Sequence, residues 1–182
     1  MIFRIIKIFL KMKKILFNTI SNLKNIFKFF KNNKHDTVCF FNENKTTYEY
    51  LKYFIKKSKK KKIIFFSLEK LEFSLNKNIT TILINQSFFI ELFFLLIKSK
   101  YVYSTTPGLG FTLFKRTLAS KYTKYIYIQH SPVSLTMAYD KNAFINFDAI
   151  QAINKFQFNE INEINKIHKK KIKAFKAKYK FL

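Results

Sequence analysis

Tyr101-Val-Tyr-Ser-Thr-Thr-Pro-Gly-Leu-Gly110 and Tyr125-Ile-Tyr-Ile-Gln-His-Ser-Pro-Val-Ser134 are the two runs on which the reading of this chain turns. Each opens as a short aromatic and β-branched strand and closes in a turn. The chain has 2 glycines and 2 prolines, all of them between Pro107 and Pro132. Glycine serves where backbone needs positive φ or approaches a ligand, and proline where a turn is stiff. Each turn follows an apolar run, so each falls at the carboxyl end of a strand, the edge where open α/β sheets bind ligands. Two ordinary strand-exit turns fit the local pattern equally well.

Working outward, strands are expected over 37–42, 63–67, 79–84, 101–105, 125–128 and 149–153. Helices are expected over 46–57, 87–98, 111–120 and 155–169. Asn154 is placed to cap the last helix, with Gln157 completing a capping box. The segment from Lys169 to Lys180 reads as a basic tail without a partner strand. Strands alternating with helices indicate an α/β fold built on a mainly parallel, Rossmann-like sheet. The domain reading is a basic amphipathic helix over 1–34, a Rossmann-like body over 35–169 and a tail over 170–182.

Composition limits the partners. The chain has 182 residues, 48% of them hydrophobic and 19% aromatic, which supports a folded core rather than disorder. A formal net charge of +25 predicts attraction to polyanions: nucleic acid, anionic lipid or phosphorylated substrates. Lys, Ile, Asn and Phe are the residues of AT-rich codons, so genome composition is a second source for part of the lysine excess. The single cysteine, Cys39, excludes an internal disulfide and sits in an apolar run as a small core residue. No segment reads as a transmembrane helix, since the apolar run Phe88–Ile97 is short and contains Glu91.

Residues 2–31 carry no acid, and Arg4, Lys7, Lys11, Lys14 and Lys28 recur at helical spacing beside Ile5, Phe9, Leu16, Phe27 and Phe30. Such a helix can lie in a membrane interface, lysines on anionic headgroups and Phe and Ile in the acyl boundary. It can also pack on its own domain. The absence of acids favours the membrane, and with it the cytoplasmic face.

His130 is the candidate general base, because an ordinary imidazole titrates near neutrality and this one falls at a strand exit. A structural histidine is the alternative. His35 and His168 lie in polar, lysine-rich surroundings, and no His–carboxylate spacing suggests a metal site. Thr106, Pro107, Gly108 and Gly110 belong to a turn that could offer amides to a phosphate at the start of a following helix. Lys115 and Arg116 could neutralise its oxygens, or be plain basic surface.

The residues Thr105-Thr-Pro-Gly-Leu-Gly110, Phe114-Lys-Arg116, Tyr125-Ile-Tyr-Ile-Gln-His-Ser-Pro-Val-Ser134, Ala143-Phe144 and Phe147-Asp148 resemble the CDP-glycerol glycerophosphotransferase family of teichoic-acid-type polyol-phosphate transferases. Asn154, Gln157 and Glu160 resemble that family's N-x-x-Q-x-x-E helix start. The likeness is specific over 101–164 and faint over 37–100. It implies the N-terminal domain of a GT-B glycosyltransferase-like architecture. It also implies transfer of a polyol phosphate from a CDP-activated donor to a hydroxyl of a lipid-linked acceptor, with release of CMP and no cofactor. His130 maps onto the family's strand-exit histidine, and Ser131, Ser134, Asn154 and Gln157 onto its substrate-binding positions. The family's nucleotide-binding domain would follow residue 182, so this chain reads as the N-terminal half alone: a fragment, a split gene product served by a separate C-terminal nucleotide-binding chain, or a degenerate relative. The alternative is a non-enzymatic basic protein that binds nucleic acid or an anionic membrane. Nucleic acid is disfavoured because no RNA-recognition or helix-turn-helix signature is present.

Overall fold

A computed structural model describes residues 23–58, 60–69, 78–84, 87–112 and 114–176. Seven parallel strands form one sheet: β1 Val38–Asn42, β2 Ile63–Ser67, β3 Ile79–Leu83, β4 Tyr101–Ser104, β5 Lys124–Tyr127, β6 Ala149–Ala152 and β7 Lys173–Lys176. Their order is β3-β2-β1-β4-β5-β6-β7, a Rossmann-like α/β arrangement. Register is tight at the centre, with Phe41 opposite Phe66 on one side and Ser104 on the other. Every residue of β1 and β2 is buried, as a strand covered on both faces requires.

Among the described residues, four helices cover the sheet: α1 (residues 23–32), α2 Lys45–Lys57, α3 Ser87–Leu96 and α4 Lys155–His168. Helix α2 starts at a reciprocal cap. Asn44 Oδ1 accepts from the Thr47 amide at 2.9 Å, and Thr47 Oγ1 accepts from the Asn44 amide at 3.3 Å. It packs on one face through Tyr48, Leu51 and Ile55. The other face carries α1, α3 and α4, whose Phe29, Phe94 and Ile161 share a single core with the loops after β4 and β5. Helix α2, on the connection from β1 to β2, covers one face, and α3 and α4, on connections that run toward β7, cover the other, as a constant crossover hand demands.

Two expectations fail. The segment 111–120 is not helical among its described residues. Thr117 instead spends its hydroxyl on the carbonyls of Leu95, at 3.0 Å, and Ile97, at 2.6 Å, while its amide donates to Tyr125 Oη at 2.7 Å. These distant partners outbid the local helical bonds. The basic tail does contain a strand: β7 pairs with β6 along four residues. Its Lys173 and Lys176 are exposed, which suits a sheet edge. The described part of α1, residues 23–32, packs on the sheet. Phe29 is fully buried against Phe66 and Phe93, and the buried Asn25 and Asn33 amides donate to Leu83 O and Leu96 O at 2.7 Å each. Most of the basic segment 2–31, and the residues after 176, lie outside the described residues. No described helix is long and apolar enough to cross a membrane.

Candidate functional site

The sheet reverses its winding between β1 and β4, and the carboxyl ends at such a switch point are where open α/β sheets form their binding crevice. The β5 ladder runs one residue past the strand, where the Ile128 amide donates to Ser104 O at 2.8 Å, and His130 follows over that edge. Its ring is half-buried and lies edge-on to Tyr50 of α2, centroids 6.2 Å apart. Nδ1 stands 3.5 Å from Tyr127 Oη. Burial lowers the imidazole pKa from its ordinary value, against the opposing pull of Glu43 and a hydrogen bond with the Thr105 backbone. Residues from the exits of β1, β4 and β5 therefore meet at one ring. The lowered pKa favours the neutral ring, the form that accepts a proton.

Around it, buried polar atoms have been left without hydrogen-bond partners among the described residues. Asn42 Nδ2, Thr105 Oγ1, Thr106 Oγ1 and Gln129 Oε1 all lie at the ends of β1, β4 and β5. Buried polar groups are nearly always paired, so such a cluster marks places for ligand or water. Only Thr106 of these was anticipated from sequence. A polar residue closing an apolar strand, as Asn42 closes Val-Cys-Phe-Phe, was the signal for the others.

The turn after β4 is not an anion cradle. The Thr106 amide donates to Ser104 Oγ at 2.9 Å, that of Gly108 to Ala143 O at 2.8 Å, and that of Gly110 to Phe114 O at 2.8 Å. Those of Phe111 and Thr112 both go to Gly108 O. No helix follows to add a dipole. The glycines serve the turn itself, with φ of 76° at Gly108 and 89° at Gly110. A Cβ on Gly110 would lie 2.7 Å from Asn146 Nδ2, which donates to Leu109 O. The turn instead walls a cavity of about 720 Å³, together with Phe111, Met137, Tyr139 and Asp140. No cation lines it, so it suits a neutral hydroxylated group better than a phosphate. Tyr139 Oη in its wall is 3.4 Å from Tyr127 Oη, which connects the cavity to His130.

The remaining anticipated residues fall into two places. Lys115 faces Glu91 at 3.7 Å, and Arg116 binds Asp148 at 3.2 Å and the Asn146 carbonyl. Asp148 also accepts from the amide of Tyr125, near the start of β5, so Arg116 sits at the amino-terminal edge, away from His130. Ser134, Asn154 and Gln157 instead build the loop behind the histidine. Gln157 donates from Nε2 to Val133 O at 2.8 Å and accepts at Oε1 from the Ile153 amide at 2.8 Å, one residue before the expected box partner. Asn154 caps α4 by accepting from the Gln157 amide at 2.9 Å. Buried Glu160 accepts from Ser134 Oγ, from the Leu135 amide at 3.0 Å, and from the Thr136 amide and hydroxyl at 3.3 and 2.8 Å. Burial alone would raise its pKa, but these donors outweigh burial and hold it below the ordinary carboxylate value. Ser131, partly exposed, is the one residue of this loop set beside His130 without a structural duty of this kind. Among the described residues no three His, Cys, Asp or Glu side chains group as metal ligands. No family model, curated protein or solved structure matches this chain.

Proposed function

We propose that this chain is the acceptor-side domain of a polyol-phosphate transferase of the CDP-glycerol glycerophosphotransferase type, working at a membrane surface. The observation that carries the reading is His130: a half-buried imidazole of lowered pKa at the carboxyl edge of the sheet, where the ends of β1, β4 and β5 also carry unpartnered buried polar atoms. In this reading His130 removes the proton from an acceptor hydroxyl held in the cation-free cavity beside Pro107 and Tyr139. The oxygen attacks the phosphorus of the donor's polyol phosphate, a new P–O bond forms, and the bond to CMP breaks. The donor's charge would be met by a separate nucleotide-binding domain, since the cavity offers no cation.

The test is CMP release from CDP-glycerol with a hydroxylated acceptor, measured for this chain alone and with a nucleotide-binding half added. His130→Ala should lower turnover by roughly 10²–10⁴-fold, the usual contribution of a general base. The acid limb of the rate profile should have its midpoint below the ordinary imidazole value of about 6.5. Turnover unchanged in His130→Ala would remove the mechanism.

A second reading, a non-enzymatic binder of anionic membrane, is favoured by one observation. Leu23, Phe27 and Phe30 stand exposed at 60%, 71% and 57%, among Lys24, Lys28 and Lys31. Loss of vesicle binding in Phe27→Ser/Phe30→Ser, without loss of fold, would support membrane contact in either reading.

A further inference from the structure

We propose that the amino-terminal edge of the sheet carries a second site, for a phosphate ester, independent of the one above. A cavity of about 450 Å³ lies there between Arg116, Lys124, Asp148, Lys170 and Lys171, with Phe147 and Ile172 among its apolar lining. Four cations share a single carboxylate, and that carboxylate is already saturated. Asp148 Oδ1 takes Lys124 Nζ at 3.1 Å, while Oδ2 takes Arg116 Nη2 at 3.2 Å and the Tyr125 amide at 2.9 Å. Lys170 and Lys171 have no carboxylate partner among the described residues.

The site is also held in shape. Arg116 lies over the Tyr125 ring, 4.8 Å from its centroid, and donates to the Asn146 carbonyl, which fixes the plane of its fork. Lys169 ends α4 in the left-handed conformation, with φ 51°. The Lys170 amide donates to Asn165 O at 3.0 Å, and the Asn165 side chain brackets Ile172 with bonds of 2.9 and 2.8 Å. The fixed backbone roots both lysines beside Arg116 and Lys124, so an anion among the four heads lowers the energy of the assembly. The strands between this edge and His130 are four residues long, roughly 13 Å. A phosphate bound here therefore anchors a molecule and is not the one that reacts. Its source is either a soluble phosphate ester or an anionic lipid headgroup.

Calorimetry with inorganic pyrophosphate, and flotation with phosphatidylglycerol vesicles, test the site on the full chain. Lys170→Glu/Lys171→Glu is compared with Lys52→Glu/Lys56→Glu on α2, which changes net charge equally. The first should weaken pyrophosphate binding about tenfold or more, and the second about threefold at most, because only the first pair stands against the bound anion. Vesicle binding lost in the first variant alone and reversed by pyrophosphate identifies a lipid source. Vesicle binding unaffected while pyrophosphate binding falls identifies a soluble one. Amide shifts on adding pyrophosphate to the parent chain, at Arg116, Lys124, Lys170 and Lys171, give a readout that needs no variant. Equal weakening in both variants, no binding of pyrophosphate, or shifts scattered over the surface would overturn the proposal.

Discussion

Replacing Glu160 by alanine should unfasten the loop that follows His130. The carboxylate accepts from two amides and two hydroxyls. Thr136 is exposed and Ser134 partly so, and their hydroxyls can turn to water once the carboxylate is gone. The Leu135 amide has no such escape, since Leu135 is 1% exposed. An orphaned buried donor costs about 1–3 kcal/mol, and each charge-assisted bond lost beyond it adds to that. Relief from burying a carboxylate works the other way, leaving a net loss of about 3 kcal/mol. For a chain of this size that is a fall in Tm of about 6–12 °C. Glu160→Gln keeps an acceptor oxygen and should lose about half as much.

The effect has a pH signature. The pKa of Glu160 is lower in the folded chain than in the unfolded one. Its stabilisation is therefore complete above the unfolded value of about 4.3 and is lost as pH falls through the folded value. The Tm gap between the parent and Glu160→Ala should be full at pH 7 and should narrow in acid. Thermal unfolding followed by circular dichroism across that range is the assay. A Glu160→Ala protein melting within about 1 °C of its parent at pH 7 would refute the reasoning, because less than 1 kcal/mol would then reside in the clasp.

Two further outcomes are expected from denaturant unfolding. Gly110→Ala should cost about 1–2 kcal/mol and exceed Gly108→Ala, because it combines positive φ with a collision at the Asn146 amide, whereas the Cβ on Gly108 meets Thr112 Cγ2 at 3.0 Å. The order reversed would mean that the turn is soft. Phe29→Ala should cost about 3–5 kcal/mol, the toll for emptying a buried aromatic site; an unchanged midpoint would make α1 a detachable appendage rather than part of the core.

What could be read from the sequence follows the range of the forces involved. Strands such as Ile63–Ser67 are dense aromatic and β-branched runs, so their existence is written locally. The helix starts at Asn44 and Asn154 are equally local, each a side chain bonding three residues ahead. The 111–120 segment misled because its governing partners, Leu95, Ile97 and Tyr125, are chosen by tertiary placement. Strand β7 was missed because Lys-Ala-Phe-Lys carries no apolar alternation and gains its order from pairing with β6. Of the site, His130 and its strand-exit position were legible. The place of Arg116 is not legible, because nearness in sequence to a glycine turn is not nearness in space and its carboxylate partner, Asp148, lies 32 positions on.

The two asparagines that fasten α1 have a consequence for biosynthesis. Asn33 waits for Leu96 and Lys98, 63 and 65 positions downstream, before its amide is engaged on both sides. At the usual translation speed of about 5–20 residues per second, that interval is roughly 3–13 seconds. Throughout it the nascent chain carries a greasy, lysine-studded helix with its docking groove still unwritten, open to chaperones or to a lipid leaflet before its own sheet exists to claim it.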